Sequence, residues 1–264
     1  MKLIDPYEFR DMFRSIRSLA IVGNAPTVLE HDNGSFIDGH DAVVRFNRIR
    51  TEGIESKIGG RTDILCVNAA NSLALAPSPA ENCRPRCMIC FVSPQGVRNG
   101  DAQPFYEWVG DIPTLLTFGP DFIGIQSSFH TRPLTSGTYV LFSLLRLFEL
   151  DRLFITGFTM FGAVAGGTGK VYKDDRSGIG TFHDIDQEAS IFARTLAEFS
   201  GELTATPEIF DLAQRAGVSL KGQNVRSANH ATRRVGWKKR LADGIAWRVL
   251  EGALVIRRWA ESVG

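Results

Sequence analysis

The sequence lacks most of the signatures that would announce a function. Four cysteines (66, 83, 87 and 90) in 264 residues are too few for a disulfide scaffold. The spacing Cys83-x3-Cys87-x2-Cys90, with Cys66, formally allows zinc. The apolar run Met88-Ile89-Cys90-Phe91-Val92 argues instead for buried free thiols. No run of 18 apolar residues is present, which excludes an obvious membrane span. Met1-Lys2-Leu3-Ile4-Asp5-Pro6 has no basic-then-apolar signal pattern, so a reducing cytosol is the expected compartment. No GxGxxG follows the first apolar run, and no GxSxG occurs. Gly169-Lys170 is not a phosphate-binding loop, because Val164 and Val171 occupy the positions that would need Gly and Ser/Thr. Asp184-Ile185-Asp186 has the Asp-x-Asp spacing of a nucleotide-bound metal site, but it belongs to a helix entry, so no metal site is expected.

Hydrophobic residues make up 44% of the chain and charged residues 22%, a globular composition. The formal net charge of +1 argues against a general nucleic-acid binder. That sum hides an asymmetry. Between Arg226 and Gly264 stand nine Lys/Arg and three acids, a net +6, which leaves −5 on the preceding 225 residues.

The periodicity predicts a short helix over 6–16, then a buried strand, Ser18–Val22, ending in Gly23-Asn24-Ala25-Pro26. Further strands are expected at Asp41–Asn47, Asp63–Val67, Arg86–Ser93 and Arg152–Gly157. Ser136-Gly137 opens a helix through Leu150, and Asp186–Phe199 is amphipathic. Thr206-Pro207-Glu208 reads as an N-cap, with Pro at the first helical position, and Gly217 as a stop. Strands alternating with helices imply a mostly parallel sheet covered on both faces. The expected division is a body over 1–220 and a basic, Trp-rich helical segment over 221–264.

Three constellations carry chemistry. Asn24 and Asn47 sit at strand ends, where open α/β sheets bind ligands and where a carboxamide suits a ribose, phosphate or base edge. Asn is also common in turns. Thr135-Ser136-Gly137 offers hydroxyls and free N–H groups at a helix start, suited to an anion or to plain capping. His183-Asp184-Ile185-Asp186-Gln187-Glu188 enters a helix with a residue suited to general-base work. Glu188 at that helix start is favoured by the dipole and placed to orient a neighbour, and an ordinary surface helix entry explains the spacing equally well.

In order, these segments resemble the sialyltransferases of glycosyltransferase family 29. Ala20–Asn24, Phe36–Asn47 and Gly60-Arg61-Thr62-Asp63 look like the family's large motif. Thr135-Ser136-Gly137 through Phe154–Phe158 looks like the small motif, and His183 with Glu188 matches the very-small motif. The resemblance implies a variant GT-A-like, Rossmann-type α/β/α sandwich and inverting, metal-independent transfer without a cofactor. It implies His183 as catalytic base and Glu188 as the motif's acid. The donor, a CMP-activated sugar, would be held by Asn24 with its neighbours Gly23 and Ala25, and by Asn47. Thr135, Ser136, Gly137 and Gly157 would line the nucleotide.

The sequence departs from the family in two places. Leu19 and Leu150 stand about where animal members carry a disulfide. The third motif's His-Tyr aligns with Lys170-Val171-Tyr172-Lys173, so Lys170 and Tyr172 are the candidates beside the leaving phosphate, with a Lys where a His is expected. Gly162–Gly169, before it, suits a lid over the donor or a plain surface loop. Sialic acid is the implied sugar, with Kdo or another nonulosonic acid as the rival. The acceptor would be an oligosaccharide or glycolipid hydroxyl, read by loops at 72–85, 94–106 and 119–135, with His130 and Arg132 nearby. From other classes, a catalytically dead CMP- or glycan-binding module stays open, and a nucleotide-dependent oxidoreductase is disfavoured.

Trp237, Trp247 and Trp259 lie among Lys238, Lys239, Arg240, Arg248, Arg257 and Arg258. Basic charge, Trp and an apolar face suit an interfacial helix on anionic lipid, on the inner face of a bacterial membrane. A helix packed on the body or a dimer contact is the alternative. Full-length protein is expected to sediment with anionic liposomes at low salt and to release as salt screens the attraction. Absence from the low-salt pellet contradicts peripheral attachment.

Overall fold

A computed structural model describes residues 2–47, 51–68, 84–91, 109–117, 134–160, 183–220 and 225–227. The chain divides into two compact units, Met1–His230 and Ala231–Gly264. The second lies outside the described residues, as does the basic tail expected to be helical. The first unit is built on nine strands: β1 (Lys2–Ile4), β2 (Ser18–Val22), β3 (Ala42–Phe46), β4 (Ile64–Asn68), β5 (Cys87–Phe91), β6 (Pro113–Thr117), β7 (Arg152–Thr156), β8 (Glu202–Ala205) and β9 (Val225–Ser227). All pair in parallel, in the order β1-β6-β5-β4-β3-β2-β7-β8-β9. The α/β sandwich expected from the alternation of elements is the architecture observed.

Every residue of β2, β3 and β5 is buried, as a parallel sheet covered on both faces requires. Successive side chains alternate between the two faces. Leu19, Ile21, Val44, Ile64, Cys66 and Ile155 join one cluster with residues of α1 (Pro6–Met12), α4 (Ser136–Leu147), α5 (Ile185–Ala197) and α6 (Pro207–Arg215). Ala20, Val22, Val43 and Phe154 face the other way, against Val28 of a 3₁₀ turn (Pro26–Glu30), Ile37 of α2 (Gly34–Asp38) and Ile58 of α3 (Glu55–Ile58). Leu65, Val67, Met88 and Cys90 pack on that second side with Val109 and Ile112. Leu19 and Leu150, the pair that stands for a disulfide, are both buried in the first cluster. Cys66, Cys87 and Cys90 are buried and free. Burial pushes the Cys87 thiol up to about 12 and Cys66 well above its ordinary value, so both are inert. Cys83 lies outside the described residues.

Polar motif residues build the amino-end edge of this sheet. Asp41, just before β3, accepts the Arg17 and Ser18 N–H groups at the start of β2, each at 2.8 Å. Asp63, before β4, accepts the Val43 N–H of β3 at 2.9 Å. Each pre-strand carboxylate thus caps its neighbour. Asp38 accepts the Gly60 and Arg61 N–H groups. The Arg61 guanidinium returns to the Asp38, His40 and Asp41 carbonyls and to Asp63 Oδ2. Buried Arg45 donates to the Ile58, Gly59 and Arg61 carbonyls. Much of the large motif therefore shapes the β3–β4 connection, and its asparagines stand apart from that work at the other edge.

His40 is buried, with Nδ1–H 2.9 Å from the Phe36 carbonyl and its ring beside Phe36 and Phe154. Desolvation holds it below its ordinary 6.5. The unfolded chain therefore takes up this proton first. His40 supports stability fully above about pH 6.5, and that support is lost as pH falls from there through the folded value. Asp41, held below 3.8 chiefly by the Arg17 N–H, acts only at lower pH. Melting temperature is expected to fall between pH 7 and 5, and His40→Gln to flatten that slope. An unchanged slope assigns the effect to other groups.

Candidate functional site

The strand order reverses between β2 and β7. From β2 the chain proceeds through β3 and β4 toward one edge, and from β7 through β8 and β9 toward the other. Open α/β sheets bind ligands in the crevice beyond the carboxyl ends of the strands at such a switch point.

Two glycines meet there. A Cβ on Gly23 would lie 2.2 Å from the Gly157 carbonyl oxygen, and one on Gly157 would lie 2.7 Å from the Gly23 oxygen. Gly157 also has φ +78°, a conformation that L side chains rarely adopt. Gly23 N–H donates to the Thr156 carbonyl at 2.8 Å, and Ala25 N–H to the Gly157 carbonyl at 3.0 Å. Both glycines are buried, so the two turns close on each other with no side chain between them.

The asparagines flank them. Asn24 is half-buried, and its Nδ2 donates to the Phe46 carbonyl at 2.9 Å, which ties the β2 turn to the end of β3. Asn47, the next residue, is exposed and sits at φ 53°, a left-handed conformation that Asn tolerates better than most residues. Its N–H donates to the Cys66 carbonyl at 2.7 Å.

Thr135 is the N-cap of α4 but makes no side-chain bond to that helix. Its N–H donates to Glu188 Oε1 at 2.9 Å, its hydroxyl to the same oxygen, and the Thr138 hydroxyl joins at 2.6 Å. Glu188 is 1% exposed. Its carboxylate thus already occupies part of the anion site that a bare helix start would offer. It binds the first turn of α5 to the start of α4. Its Oε2 has no hydrogen-bond partner among the described residues. His183, half-buried, lies just before the α5 N-cap Asp184, so this tie brings the His183 end of α5 to the Thr135-Ser136-Gly137 start of α4.

An aromatic cluster floors the same junction. Phe158, following Gly157, packs on Phe46 (5.7 Å) and Phe192 of α5 (5.1 Å). A Cβ on Gly137 would come 2.6 Å from the Phe158 ring. Gly137 is therefore glycine to admit that ring. Lys170 and Tyr172, the candidates for the leaving phosphate, and Gly162–Gly169 lie outside the described residues.

Reading the sequence misses a second buried carboxylate. Glu208, in the first turn of α6, accepts from Gly157 N–H at 2.8 Å and from the Thr156 and Thr206 hydroxyls at 3.2 and 2.6 Å. His31 Nε2 stands 4.0 Å from its other oxygen. The available signal is the pattern it shares with Glu188, an acid in the first turn of a helix that follows the sheet edge.

The glycosyltransferase family 29 (sialyltransferase) profile matches residues 4–89. Those residues include Gly23, Asn24, Ala25 and Asn47, whereas Thr135–Gly137, His183 and Glu188 lie beyond them. A beta-1,6-galactosyltransferase of Arabidopsis thaliana is 42% identical over 52 residues, 20% of this chain and 13% of its own length. The human beta-galactoside alpha-2,6-sialyltransferase 2 is 43% identical over 56 residues, 21% of this chain and 11% of its own. The matched stretch is thus a small part of either relative. A crystal structure of a mammalian sialyltransferase superposes with a TM-score of 0.49 at 19% identity, over 82% of this chain and 70% of the other.

In a helix interior Gly→Ala ordinarily stabilises by about 0.5–1 kcal/mol. Gly137→Ala is expected to reverse that sign and to cost about 1–3 kcal/mol, because the added methyl meets Phe158. Urea unfolding of the variant measures this; a more stable protein contradicts the packing.

Proposed function

Residues 4–89 of this chain belong to glycosyltransferase family 29, the sialyltransferase family, and from that premise we propose that the chain is an inverting, metal-independent glycosyltransferase. The donor is a CMP-activated sialic acid or related 2-keto sugar acid such as Kdo, and the acceptor is a glycan hydroxyl. The observation that carries the reading is one juxtaposition. Asn24 ties the β2 turn to the end of β3 beside Asn47, Glu188 ties the His183 end of α5 to the α4 start, and Phe158, at the carboxyl end of β7, packs against both groups.

In this reading Asn24 and Asn47 hold the CMP portion, since carboxamides match ribose and base groups that need both donors and acceptors. The α4 start, its dipole already met by Glu188, contributes Ser136 and Gly137 as lining for the nucleotide. His183 removes the proton of the acceptor hydroxyl on the face opposite the leaving CMP. CMP departs as a phosphate monoester, so fixed donors suffice to stabilise it, and Lys170 and Tyr172 are the proposed contributors. The basic Trp-rich segment is proposed to hold the enzyme against an anionic membrane, where a lipid-linked acceptor would lie.

The matched relatives include one named for galactose and one named for sialic acid, so the shared segment supports the transfer chemistry more than the sugar. A thermal-shift screen of CMP, UMP, GDP and UDP is expected to show stabilisation by CMP alone. His183→Ala is expected to keep CMP binding while lowering turnover of a CMP-sugar on the order of 10²-fold or more. Stabilisation by UDP alone contradicts the CMP donor. Equal turnover by His183→Ala contradicts the base, and absence of turnover by wild type favours a binding module. Strict dependence on an added divalent ion contradicts the metal-free route.

A further inference from the structure

We propose that Glu208 is a positioning residue for the donor site, holding the end of β7 in the conformation that seats the Gly23-Asn24-Ala25 turn; this rests on the reading that the β2–β7 crevice takes the nucleotide. Glu208 stands in the first turn of α6 after Pro207, where an acid is expected to serve its own helix. It does something else. Two of the three groups that donate to its Oε1, the Gly157 N–H and the Thr156 hydroxyl, belong to β7 and its end, about fifty residues earlier in the chain. The third, the Thr206 hydroxyl, also reaches Thr156 Oγ1 at 2.9 Å, which closes the network.

The consequence runs through Gly157. Its N–H is held by Glu208 and its carbonyl receives Ala25 N–H at 3.0 Å. With both backbone groups engaged at φ +78°, this residue transmits the position of α6 to the β2 turn. From there Asn24 Nδ2 reaches the Phe46 carbonyl, next to Asn47. One buried carboxylate thus sets the spacing of both nucleotide-facing asparagines without touching the ligand. His31 Nε2, 4.0 Å from Oε2 and itself largely covered, provides a second boundary to the carboxylate.

The geometry makes a local prediction that needs no ligand. Removing Glu208 strands the Gly157 N–H and the Thr156 hydroxyl in a buried setting, while the Thr206 hydroxyl keeps Thr156 Oγ1 as its acceptor, and the turn they support loosens. Amide hydrogen exchange of the ligand-free protein is read for wild type, Glu208→Ala, Glu208→Asp and Glu208→Gln. Glu208→Ala is expected to speed exchange about tenfold at Gly157 and Ala25, while β4 and β5 keep their protection. Glu208→Asp, one methylene shorter, keeps the charge but withdraws it, and accelerates the same two amides if the Ala variant does not fold. Glu208→Gln retains an acceptor oxygen and stays within about threefold.

With a CMP-sugar, Glu208→Ala or →Asp is expected to raise the donor KM about tenfold with kcat within about threefold, and Glu208→Gln to rescue most of it. Unchanged exchange at Gly157 and Ala25 in the Asp variant, uniform acceleration across the sheet, or an unsplit loss of kcat overturns the proposal. If wild type fails to bind CMP, the nucleotide reading falls, and the exchange data alone still decide for or against Glu208.

Discussion

The site depends on two backbones that pass too closely for any side chain. Gly23 and Gly157 close the gap between β2 and β7 at the point where the sheet changes direction. Because neither carries a Cβ, the two turns interlock through paired backbone bonds, Gly23 to Thr156 and Ala25 to Gly157. Every other feature of the crevice is referenced to that contact. Asn24 follows one glycine, Phe158 follows the other, and Phe158 in turn decides that position 137 of α4 must be glycine. A ligand site at a sheet edge needs a rigid rear wall, since a loose wall forfeits binding energy to ordering the site.

Two buried glutamates brace this wall from either side by the same device. Glu188 and Glu208 each occupy the first helical turn, where the dipole favours a carboxylate. Each directs one oxygen at a backbone N–H and two threonine hydroxyls, all three from the α4 start for Glu188, and from Gly157, Thr156 and its own N-cap Thr206 for Glu208. Glu188 joins α5 to α4 and so brings His183 toward the small-motif helix start. Glu208 joins α6 to β7 and so fixes Gly157. Charge-assisted bonds in a covered setting are stronger than neutral ones, which suits groups that set distances. The amino-end edge uses the exposed Asp41, the half-buried Asp38 and the buried Asp63 to shape its connections.

The parts of the fold legible in the sequence are those where physics leaves a strong pattern. β2, β3 and β5 read clearly because burial on both faces demands mostly apolar runs, broken only by Ser18 and Arg45, and α6 because Pro207 and Gly217 bracket it. β1 and β9 have three residues each, too short to carry a period. β6 begins at Pro113 and β8 mixes Glu and Thr with Leu, so neither shows a core pattern outside its pairing. In the site, Asn24, Asn47 and His183 stood out by residue type at element ends. Glu208 did not, because its partners Thr156 and Gly157 are neighbours only after β7 and β8 pair. Gly137 read as a ligand position, whereas the reason for its glycine, the Phe158 ring, lies in tertiary packing.

The central claim is that the crevice backed by Gly23 and Gly157 is the nucleotide site. A crystal structure of the chain with bound CMP tests it most directly. The account predicts the cytidine and its phosphate beyond the carboxyl ends of β2 and β7, with Asn24, Asn47 and the Ser136 start of α4 in hydrogen-bond contact and the Gly23–Gly157 crossing unmoved behind them. CMP seated away from these strand ends, or a crossing that opens to admit it, would contradict the account.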